Sequence, residues 1–189
     1  MEAKIAKLLK KENIKVELKA YKEYQTNDGY AMFGNLYVNG KKSITCVDNG
    51  DGGGVFYEVV HNNGKLLENV LKGETIEYNG SNLKYDVELL FGELASDLVA
   101  NKQYKTKART NLLFKTKIQD KNFYTIKLCD KKNPNRGKYI ENALNVVLNY
   151  VNKNNLEEIF IYNFENSFKS YTKMEIENYI EDASLKTLF

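Results

Sequence analysis

Asp48-Asn49-Gly50-Asp51-Gly52-Gly53-Gly54 is the stretch of this chain whose residue types come nearest to a ligand loop. Glycine loses more freedom on folding than any other residue, so a run of this kind implies positive φ values or a close approach to the backbone. Three uses compete: a phosphate nest, a cation loop and a plain hairpin connection. The run has neither the GxxxxGK[ST] nor the GxGxxG spacing. It leads into a strand rather than a helix, so no helix dipole would assist a phosphate. Asp48, Asn49 and Asp51 miss the 1-3-5 spacing of an EF-hand loop. A bulged or long hairpin loop is the plain reading; contact of Asp48, Asn49, Asp51, Gly52 and Gly53 with a ligand or partner is the functional one.

His61 is the only histidine, so Ser–His or Cys–His chemistry would have to pass through it. It is expected as an exposed residue at a strand end, beside an Asn62-Asn63-Gly64 turn. No HxH, HExxH or DxD pattern occurs. Cys46 and Cys129 lack metal or redox spacing and read as buried, reduced thiols. Neither catalytic residues, metal nor cofactor are expected.

Charge gives the stronger binding signal. The formal charge of +3 conceals segments of +3 (1–24), −6 (25–101), +10 (102–138) and −4 (139–189). Lys102, Tyr104, Lys105, Lys107 and Arg109, then Lys115, and later Lys131, Lys132 and Arg136 interleave cations with an aromatic ring. That mixture suits a phosphate backbone with base stacking. A solvated basic edge that blocks strand pairing is the competing reading.

The elements that would position these residues follow from periodicity. Residues 2–11 read as a short helix with Ile5, Leu8 and Leu9 as its stripe. Ile14–Tyr24 alternates, with Ile14, Val16, Leu18 and Ala20 inward. Tyr30–Val38 and Lys41–Val47 form a hairpin about Asn39-Gly40, a pair suited to a type I′ turn. The strand 55–61 follows the glycine loop. Lys65–Lys72 is a short helix ended by Gly73, and 75–78 is a short extended piece before an Asn79–Asn82 loop. Lys84–Asn101 is the best helix, capped by Ser81 or Asn82, with Asp86 on its solvent face and Gly92 packed closely on the sheet. Residues 112–118 and 123–128 make a second hairpin. Tyr139–Lys153 is a further amphipathic helix, 158–162 a strand, and 171–183 a last helix with Thr172 as N-cap.

The expected fold class is therefore α+β: an antiparallel sheet built from hairpins, covered by the helices at 84–101 and 139–153, with an extra C-terminal helix. Residues 1–163 would be one domain and 164–189 an extension. With 42% hydrophobic residues among 189 the chain can bury an ordinary core. No apolar run approaches the ~18 residues of a membrane span, and the N-terminus does not read as a secretory signal.

Four stretches carry a likeness to known proteins: Asn39-Gly40-Lys41-Lys42; Val47-Asp48-Asn49-Gly50-Asp51-Gly52-Gly53; Arg109-Thr110-Asn111-Leu112-Leu113-Phe114-Lys115; and Glu158-Ile159-Phe160-Ile161-Tyr162-Asn163. In this order, over roughly residues 14–163, the chain resembles a group of short bacteriophage accessory proteins. It departs from them with Asp48-Asn49 in place of Asn-Asp, an added Asn before Leu112, and the C-terminal helix. The resemblance brings no catalytic residue. It implies a protein acting in the cytoplasm of a bacterial host, where it binds and inhibits a host or anti-phage factor, as anti-CRISPR-like counter-defence proteins do. The residues themselves leave two alternatives open: a nucleic-acid-binding accessory protein using 102–138, and a nucleotide-binding protein using the glycine loop.

Overall fold

The computed structural model describes residues 3–118, 122–129, 132–163, 165 and 167–181. The chain divides into two compact units, Met1–Val99 and Ala100–Phe189.

In the first unit a short helix, α1 (Ala3–Lys11), precedes an antiparallel meander of β1 (Val16–Gln25), β2 (Tyr30–Val38), β3 (Lys41–Asp48) and β4 (Phe56–Val59), paired in that order. Asn39 and Gly40 take φ of 51° and 80°, as a type I′ turn requires. Three helices cover one sheet face. Ile5 and Leu9 of α1 meet Leu36, Val38, Ile44 and Cys46 of the sheet in one core. Leu67 and Leu71 of α2 (Asn62–Leu71) join them, with Val87, Leu90 and Phe91 of α3 (Val87–Lys107). Between α2 and α3 stands a separate two-stranded ribbon, β5 (Thr75–Tyr78) with β6 (Ser81–Lys84).

In the second unit the four-stranded order is β10-β9-β7-β8: β7 (Asn111–Lys115), β8 (Tyr124–Lys127), β9 (Glu158–Tyr162) and β10 (Phe168–Thr172). All its pairings are antiparallel. Leu112, Phe114, Ile159 and Ile161 face Ile140, Ala143, Leu144, Val147 and Val151 of α4 (Arg136–Lys153), with Ile176 of α5 (Lys173–Glu181) in the same core. The alternate residues Leu113 and Tyr162 face Tyr104, Ala100 and Ala108 from the last turns of α3 and the turn after them. The sheet is thus covered on both faces, which is why four successive residues of β7, Leu112 to Lys115, are all buried.

The fold class is α+β, with hairpin-built antiparallel sheets and a C-terminal helix, as periodicity predicts. Its two hairpin groups form two sheets rather than one. The division at Val99 replaces the boundary expected at 163: β10 pairs with β9 along its whole length, so 167–181 belong to the second unit. β10 itself was hidden because Thr172 marks a helix start immediately after it. Thr172 and Glu175 do cap α5 reciprocally, Glu175 Oε2 accepting from Thr172 N–H at 2.7 Å and Thr172 Oγ1 from Glu175 N–H at 3.3 Å.

Other local expectations change for identifiable reasons. Ala20 is exposed with φ 53°, inside a β-bulge between Lys19 and Lys22 that breaks the alternation of β1. Asn62-Asn63-Gly64 is the first turn of α2, and His61 is its N-cap, Nδ1 accepting from Asn63 N–H at 3.1 Å. Ser81 and Asn82 lie in β6, and Asp86 instead caps α3, Oδ1 accepting from Glu88 and Leu89 N–H at 3.1 and 3.2 Å. A Cβ at Gly92 would meet nothing within 4 Å, so that glycine is not packed on the sheet.

Glycine placement predicts opposite outcomes in two helices. Gly64→Ala would drive a Cβ to 2.7 Å from the Ser43 carbonyl oxygen and 2.8 Å from Val59, and should destabilise by about 1–3 kcal/mol. Gly92→Ala meets open space and should stabilise by ~0.5–1 kcal/mol. Chemical denaturation of the two variants beside the parent checks both signs.

Candidate functional site

The structure separates the basic residues of 102–138 by role. α3 continues to Lys107, so Lys102, Lys105 and Lys107 are helical. With Tyr104 facing the sheet, Lys102 and Lys105 share an exposed stripe that Arg109 continues in the terminal turn. These cations also offset the negative end of the α3 dipole, a structural reason for their presence. The Lys107 ammonium stands 4.8 Å over the Phe123 ring. Lys132 is exposed and Lys131 lies outside the described residues.

Three expected binding residues serve the fold instead. Tyr104 is 9% exposed and its ring meets Phe123, Phe168 and Tyr162 at 5.1, 5.0 and 5.8 Å between centroids. It is a core residue, unavailable for base stacking, because α3 runs one and a half turns further than its first apolar stripe and lays a second stripe on the other sheet. Lys115 is 5% exposed, its ammonium 4.2 Å over Phe168 and 5.5 Å over Tyr104. Ring faces replace part of the hydration it loses on burial. Arg136, at the start of α4, donates from Nη1 to the Cys129 carbonyl at 2.5 Å and to the Arg109 carbonyl at 3.5 Å. It fastens the end of β8 and the α3–β7 turn to the helix.

The glycine loop is closed by its own side chains. Asp48 Oδ1 accepts from Gly50 N–H at 2.8 Å and Asp51 Oδ1 from Gly53 N–H at 3.0 Å. Thr26 Oγ1 donates to the Gly50 carbonyl at 3.0 Å, and Glu88 Oε1 accepts from Val55 N–H at 3.1 Å. Gly50 needs its φ of 68°, and a Cβ there would lie 2.6 Å from Ala31 N. The N–H groups of Gly50 and Gly53 are therefore occupied by carboxylates, and a phosphate would meet negative charge. Asn49, Asp51, Gly52 and Gly53 remain exposed and open to a partner.

Cys46 is buried, and burial pushes its thiol up to about 12. Cys129 is a free, half-buried thiol. Among the described residues no cluster of His, Cys, Asp and Glu is suited to hold a metal ion.

Two surfaces escaped the sequence reading. The β5–β6 ribbon is exposed at every residue but the half-buried Ile76, with Tyr78 60% exposed and Leu83 also exposed. Its tip, Asn79-Gly80, has φ of 51° and 77°, the same turn chemistry that marks the β2–β3 hairpin. Ile76 packs on the core, and Lys4 ties the base to Glu74 at 2.7 Å and to the Thr75 carbonyl at 3.2 Å. The other surface is the outer face of the first sheet. By register it carries the rows Lys22–Phe33–Val47–Phe56 and Lys19–Asn35–Thr45–Glu58. Phe56 is 66% exposed. Period-2 alternation in β2 and β3 was the signal for this face.

Comparison of the chain with protein-family models, curated proteins and solved structures found no match. No described helix is long and apolar enough to cross a membrane.

The division of roles is testable by stability alone. Tyr104→Ala should cost about 3–5 kcal/mol, as for a buried aromatic. Arg136→Ala should cost ~1–3 kcal/mol by leaving backbone carbonyls without their donor. Lys102→Ala and Lys105→Ala should stay within about 0.5 kcal/mol. Urea titration of the four variants measures the contrast.

Proposed function

We propose that this protein acts by binding another protein, without catalysis, and that the β5–β6 ribbon is the element that enters the partner. The observation that carries this reading is the exposure of the ribbon. A two-stranded hairpin is marginally stable by itself in water, yet here Tyr78 and Leu83 stand on strands with almost no cover from the rest of the unit. Aromatic and aliphatic side chains on an exposed ribbon suit an interface, where a few such anchors supply most of the affinity. The ribbon is also built to persist, through Ile76, the Lys4 contacts and the Tyr85 N–H donated to the Glu74 carbonyl at 2.8 Å.

The resemblance to phage accessory proteins supplies the class of partner: a host or anti-phage protein, inhibited by occupation of its surface. In keeping with that resemblance, the encounter we propose takes place in the bacterial cytoplasm. The exposed Asn49, Asp51, Gly52 and Gly53 belong to the same unit and are further candidates for contact.

One observation favours a second reading, binding of nucleic acid. Formal charge divides as −3 over residues 1–99 and +6 over 100–189, and Lys102, Lys105 and Arg109 form an exposed cationic stripe. With Tyr104 in the core, such binding would rest on phosphate contacts, without sequence preference and with steep salt dependence.

Affinity capture from host lysate, with and without nuclease, separates the two. A stoichiometric protein partner that survives nuclease and is lost at least tenfold in the Tyr78→Ser/Leu83→Ser variant is the expected result. Capture that nuclease abolishes, and that Lys102→Glu/Lys105→Glu/Arg109→Glu eliminates while the ribbon variant does not, would replace this reading with the second.

A further inference from the structure

We infer that the outer face of the first sheet is a two-fold contact between two copies of this chain, with β1 of one copy lying over β4 of the other. The inference stands apart from the ribbon and uses the opposite face from the helices. Helices α1, α2 and α3 cover only the face that carries Leu36, Ile44 and Cys46. Phe33, Val47 and Phe56 point the other way and are not among the residues packed on that core. An antiparallel sheet face turned away from the core is ordinarily polar; this one carries the exposed Phe56 and Tyr24, with Phe33 and Val47 half-buried and Asn35 only 7% exposed beside them.

The rows have a polarity that selects the occupant. Each begins with a cation on β1 and ends on β4 with a group that attracts one: Lys19 to Glu58, and Lys22 to the ring of Phe56. A two-fold axis parallel to the strands, between β2 and β3, superposes such a face on its own reverse. Lys19 then stands opposite Glu58, Lys22 opposite Phe56, Asn35 opposite Thr45, and Phe33 opposite Val47, twice over. An isologous contact needs this self-complementarity. A two-fold perpendicular to the strands would instead set β1 on β1 and oppose like charges.

The geometry fits sheet stacking. Thr45 Oγ1 donates to Asn35 Oδ1 at 3.1 Å, so the central polar pair is satisfied within the sheet. Lys19 lies between Glu17 Oε2 at 3.1 Å and the Tyr37 ring at 4.5 Å, on the same face. From strand spacing and rise the face measures roughly 20 Å by 25 Å. That is about 500 Å² of flat area, below the ~800 Å² per partner of a standard interface. A contact of this size belongs with the small, reversible interfaces.

Sedimentation velocity of the full chain from about 1 to 200 µM tests this. The parent should pass from monomer to dimer across the range. Lys19→Glu and Glu58→Lys should each raise the dissociation constant at least tenfold. An equimolar mixture of the two variants should recover the dimer, because each Glu then faces a Lys; so should the single chain carrying both changes. Circular dichroism checks that each variant is folded. A parent that stays monomeric at 200 µM overturns the inference, as does a dimer indifferent to both substitutions or one that charge exchange fails to restore. A monomer that uses Phe56 to hold a different protein, lost in Phe56→Asp, overturns it in favour of that occupant.

Discussion

Each sheet in this protein has two faces, and among the described residues five helices are available to cover them. That constraint accounts for most of the architecture. In the second unit both faces are covered, by α4 and α5 on one side and the end of α3 on the other, so β7 is buried along nearly its whole length. In the first unit all three helices fall on one side. The other side has to be made tolerable to water or to a partner, and its rows of alternating cation, apolar and polar residues reflect that. α3 is the helix that serves both cores. Phe91 and Leu90 belong to one stripe and Ala100, Tyr104 and Ala108 to another, so the helix as a whole has no single apolar line.

This explains what could be read from residues and what could not. The β2–β3 hairpin, β9 and α4 are legible because one period runs through each and a turn residue closes it. α3 was legible only to Asn101, since its first stripe ends there and the second begins on a different line of the helix. Lys102 to Lys107 then looked like a polar loop, and Tyr104 like an exposed ring among cations. The β5–β6 ribbon has the same Asn-Gly turn as β2–β3. Its flanks, Thr75–Tyr78 and Ser81–Lys84, are only four residues each and set a single residue, Ile76, on the core, too short a run for alternation to stand out as it does in the first hairpin. The division of the chain falls inside a helix, where no turn or linker marks it; the change of charge from −6 over 25–101 to +10 over 102–138 was its one trace in the sequence.

The charged residues divide along similar lines. Arg136 and Lys115 are drawn into the fold by backbone carbonyls and ring faces, and the cations at the end of α3 complement its dipole. What looked like one basic segment is partly internal wiring. The aspartates of the glycine loop are spent in the same way, on N–H groups of their own turn. A side chain committed to holding the backbone is not free to hold a ligand, and counting residue types in sequence cannot tell the two apart.

β1 is a long edge strand, and a long edge is a template for further strands. The bulge at Ala20 interrupts its ladder near the middle and twists the two halves apart. Sideways addition of a neighbour's strand would have to match that break residue for residue. In the pair we infer, association is through the face and not this edge, and a face that meets its own reverse is used up once two copies have met. A chain with an open apolar surface can in this way form a closed pair, where the same surface beside an unbroken edge would seed growth without end.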